Sequence, residues 1–202
     1  GCPVVTSAEA DEALKVIENK AAECGSMYFE TKHIPYTVRA KSLEGISFDT
    51  VIQGVPFENI ELSMLGEHQI KNAICALSAL NILEERGNVN LYRDAVYRGL
   101  KAARQTGRFE VMSAKYEKPI VIIDGAHNPD GASALRKAAN EYLPSKKILM
   151  VTGMLADKDT ESILKEFTAI TDSFISTEPD NPRKLDAESL KTEIQALGAS
   201  CE

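Results

Sequence analysis

The chain has 202 residues, a formal net charge of −7 and a pI of about 5.1. With 44% hydrophobic and 26% charged residues it can bury a core without disulfide staples. Its Lys and Arg are dispersed and form no phosphate-neutralising stripe, which argues against nucleic-acid binding. No apolar run approaches the ~18 residues of a membrane span, so no membrane partner is expected.

The four cysteines, Cys2, Cys24, Cys75 and Cys201, show no metal-ligand spacing. Cys24 and Cys75 lie in helix-like apolar patterns and are expected to be buried free thiols, as suits a reducing cytoplasm. The opening Gly1-Cys2-Pro3-Val4-Val5 reads like the middle of a domain rather than a signal peptide.

In chain order, residues 3–5 read as a short strand. Thr6-Ser7-Ala8-Glu9 has the form of a capping box, and Ala10, Ala13, Leu14, Ile17 and Ala21 follow at helical spacing, predicting a helix over 7–24. Strands are expected at 27–29, 36–43 and 46–53. Gly54-Val55-Pro56 is expected to break the last of these before alternation resumes at Ile60, Leu62 and Met64. Tight turns suggest antiparallel pairing through this stretch. Gly66 opens a strong helix with Ile70, Ala73, Ile74, Leu77 and Leu80 as its buried stripe, ending before Gly87. Asn90 can cap a further helix to about Ala103, with Leu91, Ala95 and Leu100 inward. Gln105-Thr106-Gly107 breaks the pattern, which places a domain boundary at 106/107.

Beyond it the pattern alternates. Strands are expected at 109–112, 120–123, 148–152 and 173–176, and helices at 129–142, 160–170 and 187–197, which argues for an α/β sheet. The apolar run Ile120 to Ile123 suggests a parallel strand covered on both faces. Another strand is expected where the chain reaches Cys201-Glu202.

Four stretches could carry chemistry. Asp124-Gly125-Ala126-His127-Asn128-Pro129 joins a strand to a helix, the edge at which open α/β sheets bind ligands. Asn128 suits an N-cap and Pro129 the first helical turn. In Gly107-Arg108-Phe109-Glu110, Arg108 follows a flexible Gly and can reach a phosphate as a bidentate donor. In Gly66-Glu67-His68-Gln69-Ile70-Lys71-Asn72, His68 and Asn72 share a helix face, and Asn72 offers a donor and an acceptor that match an adenine edge. Gly153-Met154-Leu155-Ala156-Asp157-Lys158-Asp159 follows another strand, and helix capping accounts for its acids. The loop 177–183 could line the same edge or be plain surface. Taken singly, each stretch also reads as a capped loop or a solvated helix face. There is no G-x-x-x-x-G-K-[ST] phosphate loop, no G-x-G-x-x-G, no H-E-x-x-H and no G-x-S-x-G, and His33, His68 and His127 lack metal-binding spacing.

In this order, the motifs resemble folylpolyglutamate synthase/dihydrofolate synthase, of the Mur ligase group, and Gly1 to Val5 resembles the segment after that family's lysine-bearing stretch. The resemblance implies an α/β fold: the back part of a Mur-ligase-type ATPase domain over 1–106, then a Rossmann-like C-terminal ligase domain over 107–202. The family's phosphate loop, magnesium ligands and carbamylated lysine would lie ahead of residue 1, and its last strands beyond residue 202.

By that resemblance the intact protein is a monomeric cytoplasmic ligase using ATP and Mg2+. It joins L-glutamate to a folate or dihydropteroate carboxylate through an acyl phosphate, and 1–202 alone would be inactive. Asn72 would contact adenine, Arg108 the ATP phosphates and Asp124 the nucleotide. His127 would lie near the nucleotide or the incoming glutamate, and Asn128 would hold the loop. Arg108 and His127 are the candidate catalytic residues. Another Mur-type ligase acting on a cell-wall precursor, or a non-catalytic nucleotide-binding module, would keep the same fold.

Overall fold

The computed structural model describes residues 1–113 and 119–202. Two compact units divide the chain, 1–105 and 106–202.

In the first unit, β1 (Val4–Thr6) pairs in parallel with β2 (Tyr28–Glu30), joined by α1 (Asp11–Glu23). α1 starts later than its apolar spacing suggests, and the expected capping box is not made. Thr6 is paired in β1, and its hydroxyl accepts from Ala8 N–H at 3.1 Å, closing a local turn that takes the chain out of the strand. Glu9 is instead ion-paired with Lys71 at 2.8 Å, and that hydrogen bond and charge hold its carboxyl below the usual range. Cys24 is exposed because it falls on the C-cap, past the last buried turn, and Cys75 is half-buried on the flank of its helix. The buried thiol is Cys201.

β3 (Tyr36–Ser42), β4 (Gly45–Ile52) and β5 (Val55–Leu62) form an antiparallel sheet. The turn between β4 and β5 is Gln53-Gly54, both left-handed (φ 50° and 80°), which suits the twist of a two-residue hairpin. Pro56 therefore lies inside β5 rather than breaking it. β5 is an edge strand, where a missing N–H costs least. Every second residue of β4 (Ile46, Phe48, Thr50, Ile52) is buried, the period-2 signature of a sheet with one covered face.

Against this core lies α2 (Glu67–Glu85). Ile70, Ala73, Ile74 and Leu77 are buried as expected, but the stripe continues through Ser78, Asn81 and Ile82, while Leu80 is half-buried. α3 (Arg93–Ala102) begins after Tyr92, and Asn90 does not cap it. Its Ala95 is exposed; the half-buried face is Val96, Tyr97 and Leu100. Tyr97 Oη accepts from Glu58 N–H at 3.1 Å and the Arg93 guanidinium sits 5.1 Å from the Phe57 ring centre, fixing α3 on β5.

Asn81 makes a stability prediction. Its Nδ2 is buried and has no hydrogen-bond partner among the described residues. A buried orphan donor carries its full desolvation cost, and an apolar side chain of similar size does not. Asn81→Leu is expected to raise the denaturation free energy by about 1 kcal/mol. A lower urea midpoint for the variant would show that the amide is satisfied.

In the second unit, β6 (Glu110–Ser113) pairs antiparallel with β7 (Val121–Ile123), which corrects the expectation of a parallel strand covered on both faces. Val121 and Ile123 are 45% and 46% exposed, because no element of the described residues covers that side of the hairpin. α4 (Pro129–Tyr142) follows, then β8 (Met150–Thr152), α5 (Thr160–Thr168), β9 (Ser173–Ser176), α6 (Ala187–Ala196) and β10 (Ser200–Cys201). The strands β8, β9 and β10 are parallel and adjacent in chain order, and β10 takes in Cys201. Successive crossovers in one direction and of one hand place α5 and α6 on the same face. That face holds the core, in which Leu164 and Phe167 of α5 and Leu190 and Ile194 of α6 pack with Phe174. On the other face, among the described residues, Val151 is 63% exposed. Among the described residues no helix is long and apolar enough to cross a membrane.

Candidate functional site

The second unit brings two of the sequence motifs together. Gly125 N–H donates to Gly107 C=O at 2.7 Å, just beyond the β6–β7 pairing. The Asp124 carboxylate, at the end of β7, accepts from Phe109 N–H through Oδ2 at 2.7 Å and from Ala126 N–H through Oδ1 at 2.8 Å. Glu110 Oε2 accepts from Gly107 N–H at 2.9 Å. Residues 107–110 are thereby tied to 124–126.

Arg108 stands between two left-handed residues, Gly107 (φ 70°) and Phe109 (φ 45°). Glycine adopts this conformation freely; a bulky residue does so only when its surroundings hold it there. At Phe109 they do. Its N–H is bound by Asp124, and its ring is buried 5.7 Å from that of Tyr142. Arg108 is half-buried and has no acidic partner among the described residues. A guanidinium in that state can donate to an anion.

His127 is exposed, with Nδ1 2.8 Å from Gly125 O. A carbonyl oxygen only accepts, so Nδ1 is the donor here, and in a neutral ring Nε2 is then the acceptor. Asn128 caps α4: its Oδ1 accepts from Gly131 N–H at 2.7 Å, with Pro129 in the first turn. A Cβ on Gly131 would stand 3.1 Å from Asn128 Oδ1, so glycine gives the cap its close approach.

The connections after β8 and β9 are knitted to each other. Ala156 N–H donates to Arg183 O at 2.8 Å, Leu185 N–H to Met154 O at 2.9 Å, and Arg183 pairs with Asp157 at 3.0 Å. Asp159 caps α5 through Ser162 N–H at 3.2 Å; hydrogen bonds from the Ser162 side chain and backbone hold its carboxyl below the usual range. The cap was legible in the sequence. The joining of 153–158 to 177–185 was not, since its partners lie 26 or more residues apart and carry no local pattern.

Asn72 belongs to the first unit, on α2. It is exposed, and its Nδ2 donates to Gln69 Oε1 at 3.2 Å, leaving Oδ1 without a donor among the described residues. One turn earlier, Glu67 accepts from the Tyr36 hydroxyl. Burial first, then the hydrogen bond and charge of Glu67, push the Tyr36 phenol up to about 12. Among the described residues no group of three or more His, Cys, Asp or Glu could hold a metal ion.

Residues 107–202 match the family model for the Mur ligase, glutamate ligase domain. The chain belongs to the Mur ligase family. The dihydrofolate synthase/folylpolyglutamate synthase of Mycobacterium tuberculosis is 37% identical over 138 residues, which are 68% of this chain and 28% of that enzyme. The crystal structure of folylpolyglutamate synthase from Thermotoga maritima matches with a TM-score of 0.82 and 35% identity, over 99% of this chain and 46% of that one. The Mycobacterium tuberculosis folylpolyglutamate synthase complexed with ADP matches with a TM-score of 0.81 and 28% identity, over 94% of this chain and 41% of that one. This Mur ligase chain thus spans less than half the length of these relatives.

Proposed function

We propose that the protein to which this chain belongs is an ATP-dependent ligase that joins L-glutamate to a folate or dihydropteroate carboxylate. The observation that carries the reading is Arg108: a half-buried cation in a fixed turn, without an acidic partner among the described residues and tied to the strand-end loop that bears His127. Kinship with folylpolyglutamate synthases, one of them solved with ADP, supports ATP as the anion.

In this reading residues 1–106 are the back part of the ATPase domain and 107–202 the ligase domain. The substrate carboxylate attacks the γ-phosphorus of ATP, and ADP leaves. The glutamate amine then adds to the carbonyl of the acyl phosphate, loses a proton, and expels inorganic phosphate as the amide forms. Arg108 neutralises phosphate charge, which matters most in the transition state. Asn72 meets adenine, and Asp124 completes the nucleotide-binding set. The outward Nε2 of His127 is placed to take a proton, and Asn128 holds the loop.

Among the described residues no cluster fits Mg2+; the family kinship puts its ligands elsewhere in the protein, and no step is routed through it here. The working enzyme is a cytoplasmic monomer.

Phosphate release tests the reading. The full-length protein with ATP, magnesium and glutamate is expected to release phosphate only when dihydropteroate or tetrahydrofolate is present. Release that ignores both pterins would move the assignment to another Mur-type acceptor. The 202-residue chain alone is expected to release none; folate-dependent release from it would show that it carries the phosphate machinery itself.

A further inference from the structure

Asp124 lies sixteen positions after Arg108 and binds the N–H of the next residue, Phe109, yet among the described residues the two side chains form no ion pair. An aspartate next to a free arginine would ordinarily pair with it and cancel its charge. Here both carboxylate oxygens are engaged by backbone N–H groups, one on each side of the junction: Phe109 at 2.7 Å and Ala126 at 2.8 Å.

The Phe109 bond falls on a residue that needs it. Phe109 is a bulky side chain at φ 45°, a conformation that persists only where the surroundings over-determine it. Three contacts do so: the Asp124 carboxylate on its N–H, the buried ring against Tyr142, and the Gly125–Gly107 backbone bond two residues before. Of these only the first is charge-assisted, and so the strongest hydrogen bond in the set.

We infer that Asp124 is the positioning residue of Arg108. Its carboxylate latches the left-handed Phe109, fixes the direction in which Arg108 leaves the chain, and keeps that guanidinium unpaired for an anionic substrate. The inference rests on the ligase reading for the identity of the anion, not for the latch. It gives the carboxylate a task beyond nucleotide contact, and one that an amide cannot copy: in Asp124→Asn one of the two N–H groups would face an NH2.

The test has two parts. In the 202-residue chain, hydrogen exchange at the Phe109 amide is expected to lose its protection in Asp124→Ala and Asp124→Asn, while amides of β4 and β9 keep theirs. Unchanged protection at Phe109 would overturn the latch whatever the enzyme's substrate. In the full-length ligase, Asp124→Ala is expected to cost about a hundredfold in kcat/KM for ATP, the scale of a misplaced catalytic group, with the KM for the pterin unchanged. Arg108→Ala/Asp124→Ala is expected to lose clearly less than the product of the two single losses, because part of the Asp124 effect runs through Arg108. Losses that multiply in the double variant would overturn the inference, because Asp124 would then be acting on substrate independently of Arg108.

Discussion

Replacing Arg108 with Ala in the full-length ligase is expected to lower kcat by roughly 10²–10³-fold, the usual cost of removing one preorganised donor from a developing charge. The KM for the pterin acceptor stays as it was. The expectation follows from the local geometry: Arg108 is half-buried, has no acidic partner among the described residues, and sits in a turn held at both ends. The turn pre-pays the ordering of the chain, so the guanidinium meets phosphate without reorganisation. Arg108→Lys is expected to recover only part of the loss, since an ammonium keeps the charge but not the planar pair of donors. Single-turnover kinetics with saturating ATP read the effect on the chemical step. Unchanged turnover in Arg108→Ala would remove Arg108 from the mechanism.

Leu164→Ala is expected to destabilise the second unit by about 2–5 kcal/mol. Leu164 is fully buried in the packed face of that unit, among Ile163, Phe167, Leu190 and Ile194. Truncation forfeits the transfer energy of the lost carbons and leaves a cavity that two helices, each held by several other contacts, close only in part. A total stability of about 5–15 kcal/mol makes this a large fraction. Leu149 is the control: it is 61% exposed, and Leu149→Ala is expected to change stability by no more than about 0.5 kcal/mol. Urea denaturation followed by circular dichroism measures both. Equal losses in the two variants would mean that Leu149 is as tightly packed as Leu164.

The elements were legible where a residue's own pattern sets its state. The Ile70–Leu77 stripe, the Asn128-Pro129 start of α4 and the Asp159 cap of α5 are written in local spacing and cap chemistry, and each is found. Misreadings came where tertiary pairing outweighs local pattern. Thr6 could cap a helix, but its place in the parallel β1–β2 pair takes it. Pro56 looks like a breaker, but an edge strand tolerates it. Val121 to Ile123 is apolar enough for a strand buried on both faces, yet it is the second strand of an antiparallel hairpin with an uncovered side.

The candidate site followed the same division. Its residue types were readable from Gly107-Arg108-Phe109 and Asp124 to Asn128. Their joining was not, because it rests on hydrogen bonds across 15 or more positions, one to a carboxylate and one between backbones, and on the left-handed Phe109, for which a phenylalanine gives no sequence signal.

The most direct test of the central claim is the mass of the acceptor after incubation with the full-length protein, ATP, magnesium and L-glutamate. The account predicts that dihydropteroate or tetrahydrofolate gains one glutamyl residue, only with ATP present and in step with ADP formation. An acceptor mass that stays unchanged while ATP is consumed, or ATP untouched with either pterin, would contradict it.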